Sequence, residues 1–263
     1  MIMKHMKFLF SAIYPLLLFL QPAILNGEIL NYAIFPAPPY MIYSEEDDDS
    51  QIHGIDIDIV KEIANQMNLE VKFLRCPWAR CLERMEAGIV DILSSAFKKP
   101  EREVFMNYFQ QPYLEKLPIA FYLKKGKGTI IKNYQDIYAL REIGVLRGAS
   151  YFEQFDTDTK INKYAVTSQK QLLLMLLADR LEAITGYVHT INYRVVAEGF
   201  TGKIEKSLFE YNGVSEVYMA ISKNSPFAER VDEFNRINDE LLRNGVIYGI
   251  IKSYYDKYTP VGE

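Results

Sequence analysis

Short apolar runs alternate along this chain with segments of helical spacing, and that alternation limits the fold more than any other feature. A strand is predicted near Ile29 to Phe35, a helix from about Ile57 to Met67, a strand over Glu70 to Leu74, a helix around Ala79 to Ala87 and a short buried strand at Asp91 to Ser94. This is a βαβ rhythm, so an α/β fold follows. Extended segments come next around Leu117 to Leu123 and Glu142 to Leu146, the latter running into Arg147-Gly148-Ala149-Ser150. The apolar helix Ser168 to Ala178 is expected to be buried, and the strand after it, Leu181 to Thr185, ends at Gly186-Tyr187. Phe227 to Tyr258 reads as two amphipathic helices broken at Arg243-Asn244-Gly245, where Asn-Gly suits a left-handed C-cap.

The N-terminus has a different character. Lys4 and Lys7 precede an uncharged run from Phe8 to Leu20 that Pro15 interrupts. A run of about 13 residues is shorter than the roughly 20 that a membrane-spanning helix needs. Residues 1–27 are therefore expected to be a cleaved signal peptide, with the mature chain starting near Glu28 and a retained membrane anchor as the alternative. No cysteine lies there to carry a lipid, so the product is expected free in an exported compartment. The whole chain has 30 basic and 34 acidic residues, and loss of two lysines with the leader leaves 28 and 34. A mildly acidic protein is a poor partner for nucleic acid, and none is expected.

Both cysteines fall in Cys76-Pro77-Trp78-Ala79-Arg80-Cys81. An oxidising compartment allows a local disulfide between Cys76 and Cys81, and two separately buried thiols are the alternative. The acidic run Glu45 to Asp49 lacks the spaced ligands and central glycine of a calcium loop and reads as a solvated hairpin tip. His5, His53 and His189 are scattered, so no metal site and no cofactor are expected.

A set of short motifs then appears in order: Pro38-Pro39-Tyr40, Gly54 to Ala64 (GIDIDIVKEIA), Trp78, Gly88-Ile89-Val90-Asp91, Pro100-Glu101-Arg102, Gln111-Pro112-Tyr113, Gly144 to Gly148, Leu181-Glu182-Ala183 and Tyr218 to Lys223. In their order and spacing the chain resembles the bacterial extracellular solute-binding proteins of family 3, the amino-acid-binding receptors of ABC importers. The resemblance implies a type II periplasmic binding protein fold, with two α/β lobes, two hinge strands and a ligand cleft between the lobes. Lobe one would comprise residues 28–118 plus 219–263, and lobe two residues 119–218. The crossings would lie near Pro118 to Tyr122 and Glu216 to Ala220. It further implies a periplasmic monomer that captures a small-molecule solute and docks on an inner-membrane ABC permease.

The resemblance assigns Arg102 to the ligand carboxylate, a role that suits a guanidinium, whose parallel donors match carboxylate geometry. A surface arginine capping the Lys98 to Glu101 turn is the alternative. Ser150 falls in a turn that would feed a helix N-terminus and face an anion. Tyr40, Trp78 and Arg80 form a second candidate group near the cleft mouth, with core packing as the other role for Trp78. Ser95 ends a strand where open α/β sheets present ligand contacts. Three positions depart from the family pattern. Tyr187 stands where amino-acid binders carry the aspartate that pairs an α-ammonium, Ile34 replaces a common acid, and Ala37 a common aromatic. An anionic solute without an ammonium group is expected from these losses. A periplasmic enzyme on the same scaffold, dehydratase-like and drawing on Asp91 or Glu182, and a sensory protein feeding a signalling receptor remain the other readings.

Overall fold

The computed structural model describes residues 27–43 and 49–259. The expected leader, apart from Gly27, and the acidic run, apart from Asp49, lie outside the described residues.

The chain opens with β1 (Ile29–Ile34), α1 (Ile55–Gln66), β2 (Glu70–Arg75), α2 (Trp78–Glu86), β3 (Ile92–Ala96), α3 (Pro100–Glu103), β4 (Met106–Tyr108) and β5 (Leu114–Lys116). It continues with β6 (Ile119–Lys124), β7 (Ile143–Leu146), α4 (Glu153–Thr157), β8 (Lys163–Val166), α5 (Gln169–Leu177), β9 (Ala183–Tyr187), α6 (Val188–Ala197) and β10 (Ile204–Tyr211). It closes with β11 (Val214–Ser222), α7 (Val231–Arg243) and α8 (Val246–Tyr258).

These strands form two sheets. The first runs β2-β1-β3-β11-β4, with β5 also paired to β11. Its β2, β1 and β3 are parallel, and β11 is antiparallel to its neighbours. The second runs β10-β6-β9-β7-β8. The period of two along β1 explains its central place, since Leu30, Tyr32 and Ile34 join the core under α1, α7 and α8 while Ala33 packs on the opposite face with Cys81 and Met85. The second sheet has separate buried clusters, one around Leu172, Leu173 and Ile191 and another around Phe121 and Phe155.

The chain passes from the first sheet to the second at Leu117-Pro118 and returns at residues 212–213. The return lies ahead of the Glu216 to Ala220 segment. Ile119 already pairs with Tyr187 in the second sheet, and Val214 and Val217 already pair with Lys116 and Leu114 in the first. Residues 214–218 therefore belong with the first sheet.

Two other expectations change in detail. Helix α5 buries Leu172, Leu173 and Leu176, but Leu174 is 48% exposed, so its apolar surface is wider than the face the sheet covers. Helix α6 was not expected from the sequence, although Val188, Ile191, Asn192 and Val195 are buried at helical spacing. As expected, Gly245 is left-handed (φ 79°), and it ends α7 while starting α8. Cys76 and Cys81 are joined by a disulfide with Cα atoms 5.4 Å apart, which ties the end of β2 to α2.

The Gly54 to Ala64 motif shapes the turn after β1. The N–H groups of Ile55 and Asp56 donate to the carbonyls of Pro39 and Tyr40 at 3.1 and 3.0 Å. Only glycine fits at 54, because φ is 137° and a Cβ would lie 2.3 Å from the Tyr40 carbonyl oxygen. The first helical turn of α1 thus fixes Pro38-Pro39-Tyr40 against the first sheet.

Candidate functional site

Between the two lobes lies a cavity of about 390 Å³. That falls within the roughly 300–1,000 Å³ of small-molecule clefts. Lobe one contributes the turn Pro36-Ala37-Pro38 and Tyr40. The turn is closed by the Tyr40 and Met41 N–H groups donating to the Ala37 carbonyl at 2.8 and 3.0 Å. Lobe two contributes the C-terminal ends of β7 and β9 and the first turns of α5 and α6, the edge of an open α/β sheet where ligands collect. Its apolar wall includes Leu146, Leu172 and Ile191, and its polar groups include Thr167, Gln169, Tyr187 and Arg194.

The lobe-one wall stands on a buried polar cluster. Asp56 is fully buried, accepting from the Tyr113 hydroxyl at 2.8 Å and the Ser95 hydroxyl at 2.7 Å. Burial raises its pKa above the ordinary carboxylate range, and the hydroxyl donors oppose that shift. Ser95 takes a left-handed φ of 54°, rare for a residue with a side chain, and its N–H donates to the Tyr113 hydroxyl at 3.2 Å. The second acid of the motif, Asp58, accepts from Tyr254 at 2.7 Å, and the same hydroxyl accepts from the Gly54 N–H at 3.0 Å.

Helix α8 also touches the other lobe. The Tyr40 and Tyr255 hydroxyls are 3.2 Å apart, and the Tyr255 ring stacks on His189 of α6 with centroids 3.3 Å apart. Burial pushes the Tyr255 phenol up to about 12 and the His189 imidazole down to about 4. Tyr193 meets Tyr258 edge to face one turn further along. An aromatic seam thus joins the two lobes beside the cavity.

The structure separates the expected site residues. Tyr40 and Tyr187 line the cavity. The Tyr187 hydroxyl donates to the Ser150 carbonyl at 2.9 Å, so Ser150 meets this group through its backbone while its residue is exposed. The helix that follows it, α4, is only five residues long and starts after Phe152. Trp78 and Arg102 come together away from the cavity lining, with the guanidinium 5.2 Å from the indole centroid and Nη1 donating to the Phe97 carbonyl at 3.2 Å. Trp78 also meets Phe35 edge to face at 4.9 Å, next to the Pro36 end of the lining turn. Ser95 is turned toward Asp56 rather than the cleft. Arg80 is exposed and pairs with Glu83 at 3.2 Å on the outer face of α2.

The carboxylates Asp91 and Glu182 have structural partners. Asp91 accepts from the Asn31 N–H at 2.7 Å and the Ser225 hydroxyl at 2.6 Å. Glu182 accepts from the Arg141 N–H at 2.5 Å and from its side chain at 3.1 Å, and these donors lower its pKa. Among the described residues no three metal-ligating side chains converge.

Sequence reasoning missed Arg194, Gln169 and Thr167. Arg194 rides on α6, whose apolar spacing from Val188 to Val195 was the available signal. Gln169 and Thr167 flank the Ser168 N-cap, which accepts from the Gln171 N–H at 3.2 Å.

A sequence profile of the bacterial extracellular solute-binding proteins, family 3, matches residues 30–257. The chain is 25% identical over 232 residues to a protein of Campylobacter jejuni named "Probable histidine-binding protein", covering 86% of this chain and 85% of that one. It is 22% identical over 214 residues to the L-cystine-binding protein TcyA of Bacillus subtilis, covering 81% and 76%. Among solved structures, an ancestral arginine-binding protein bound to arginine superposes with a TM-score of 0.66 at 19% identity, over 87% of this chain and 99% of that one. The second substrate-binding domain of Lactococcus lactis GlnP, in an open conformation, gives 0.67 at 19% identity over 90% and 97%.

Proposed function

This chain belongs to the bacterial extracellular solute-binding proteins of family 3, and from that premise we propose that it is the periplasmic receptor of an ABC importer. It captures a small solute bearing a carboxylate between its two lobes and presents the closed form to a membrane permease. The single observation that carries this reading is the cavity itself, walled by the Pro36 to Tyr40 turn on one side and by β7, β9, α5 and α6 on the other. Two lobes that share one solute convert its contacts into closure, which a partner can sense.

The relatives named for histidine and cystine support an amino-acid-like solute. The lining argues for one lacking an ammonium group. A phenol at 187 offers no charge, and burial raises the Tyr187 pKa further from ionisation. In lobe one we assign the carboxylate to Arg102, which stands beside Trp78 outside the cavity lining, with donors remaining beyond the bond to Phe97 and lobe closure bringing the solute to it. An acid–base enzyme on this scaffold is disfavoured, because Asp91 and Glu182 are engaged by backbone and side-chain donors.

The test is a thermal-shift screen of refolded, ligand-free protein against amino acids, carboxylates without an ammonium group, polyamines and sugars. A solute at about 100 times its Kd adds roughly 2.7 kcal/mol, several degrees for a chain of this size. Shifts with carboxylates alone support the reading, shifts with ordinary amino acids overturn the ligand class, and a flat screen overturns the receptor assignment.

A further inference from the structure

Resting on the receptor reading, we propose that Arg194 sets the specificity of the cleft and that its solute carries a second anionic group held by this side chain. Among the described residues lining the cavity, Arg194 is the only charged one and none is acidic. The guanidinium is loosely engaged. Its Nε lies 3.5 Å from Gln169 Oε1, and its Nη1 is 3.9 Å from one oxygen of Glu198, whose other oxygen pairs more closely with Lys170 at 2.7 Å. A guanidinium has five donors, so most remain for a ligand.

The surroundings reinforce the sign. Arg194 faces the first turn of α5, where helix geometry adds partial positive charge, and the adjoining wall is made of Leu146, Leu172 and Ile191. Apolar walls strengthen a charge-assisted bond made there. A solute with a cationic side chain would meet a like charge, offset among the described residues only by Glu198, which lies 3.9 Å from Nη1 and outside the lining. The specificity is therefore opposite in sign to that of the arginine-bound neighbour, and it requires a solute with acceptors at both ends.

Calorimetry on the folded protein decides this with matched series: succinate, glutarate and adipate against butyrate, pentanoate and hexanoate, with lysine and arginine as cationic probes. At least one diacid is expected to bind about tenfold or more tightly than its monoacid counterpart. Arg194→Gln should erase that margin and leave the monoacid within about twofold, and Arg194→Lys should keep part of it. Equal thermal midpoints of the unliganded variants would exclude a folding defect on this half-exposed helical face. Tighter binding of lysine or arginine, a diacid no better than its monoacid, or a margin that survives Arg194→Gln would each overturn the proposal while the receptor reading stands. If folded wild-type protein binds no solute in this set or in the broader screen, both readings fall together.

Discussion

Arg102 is preorganised but not free-standing. Its guanidinium carbon lies 5.2 Å from the Trp78 ring centroid and one nitrogen serves the Phe97 carbonyl, so a carboxylate would meet a side chain already held in position. Arg102→Ala is expected to weaken solute binding up to about 100-fold in calorimetry without lowering the melting point of the free protein. Arg102→Lys should not restore it, since an ammonium offers neither the fork nor the stacking plane. Unchanged affinity in both variants would leave Arg194 as the anchoring cation. Gly54 makes a different prediction, about stability. A methyl group there would meet the Tyr40 carbonyl at 2.3 Å in a backbone conformation that side chains avoid, so Gly54→Ala should cost more than about 2 kcal/mol in denaturant unfolding. The two acids of the same motif are occupied by protein hydroxyls, Asp56 by Ser95 and Tyr113 and Asp58 by Tyr254.

The contact between α6 and α8 ties two elements from different lobes to pH. His189 titrates at about 4 in the folded protein because burial disfavours its charged form, whereas an exposed histidine titrates near 6.5. Glu210 raises this value and Lys206 lowers it, both by less than burial does. The unfolded chain therefore takes the proton first. The stability held by neutral His189 is fully present above about pH 6.5 and declines toward pH 4, by about 1–3 kcal/mol. Melting points across that range should fall more steeply for the wild type than for His189→Phe, which keeps a ring against Tyr255 and removes the titration. Parallel profiles would refute the assignment. These elements also show what could be read in advance. The strand–helix pairs β1-α1 and β2-α2 were legible because period-two and helical spacing succeed each other within a few residues. Helix α6 was not, because Gly186-Tyr187 reads as a strand end and neither residue carries a side-chain cap that would mark the start of a helix at Val188. With α6 went Arg194. Ser95 looked like a ligand because it ends a strand, but its left-handed backbone turns the hydroxyl to Asp56, and nothing in the local sequence specifies that turn.

For the molecule as a whole, the two-lobe architecture followed from the order of motifs, while the hinge positions depended on pairing. Val214 joins the first sheet through Lys116, a partner 98 residues earlier in the chain, and no local pattern reveals such a contact. If the lobes close on solute, small-angle scattering should show a smaller radius of gyration at saturation than in the stripped protein, and the change should vanish with a compound that fails to bind. An unchanged radius with proven binding would mean the cavity is already in its closed form. The same topology affects how the molecule is assembled. Every strand of the second sheet lies within one uninterrupted stretch, Ile119 to Tyr211, whereas the first sheet has a gap between β3 and β4 until β11 arrives. In a chain delivered N-terminus first, the later-encoded lobe has all its strands before the earlier one does, and the edge of β3 waits unpaired for a segment more than a hundred residues downstream.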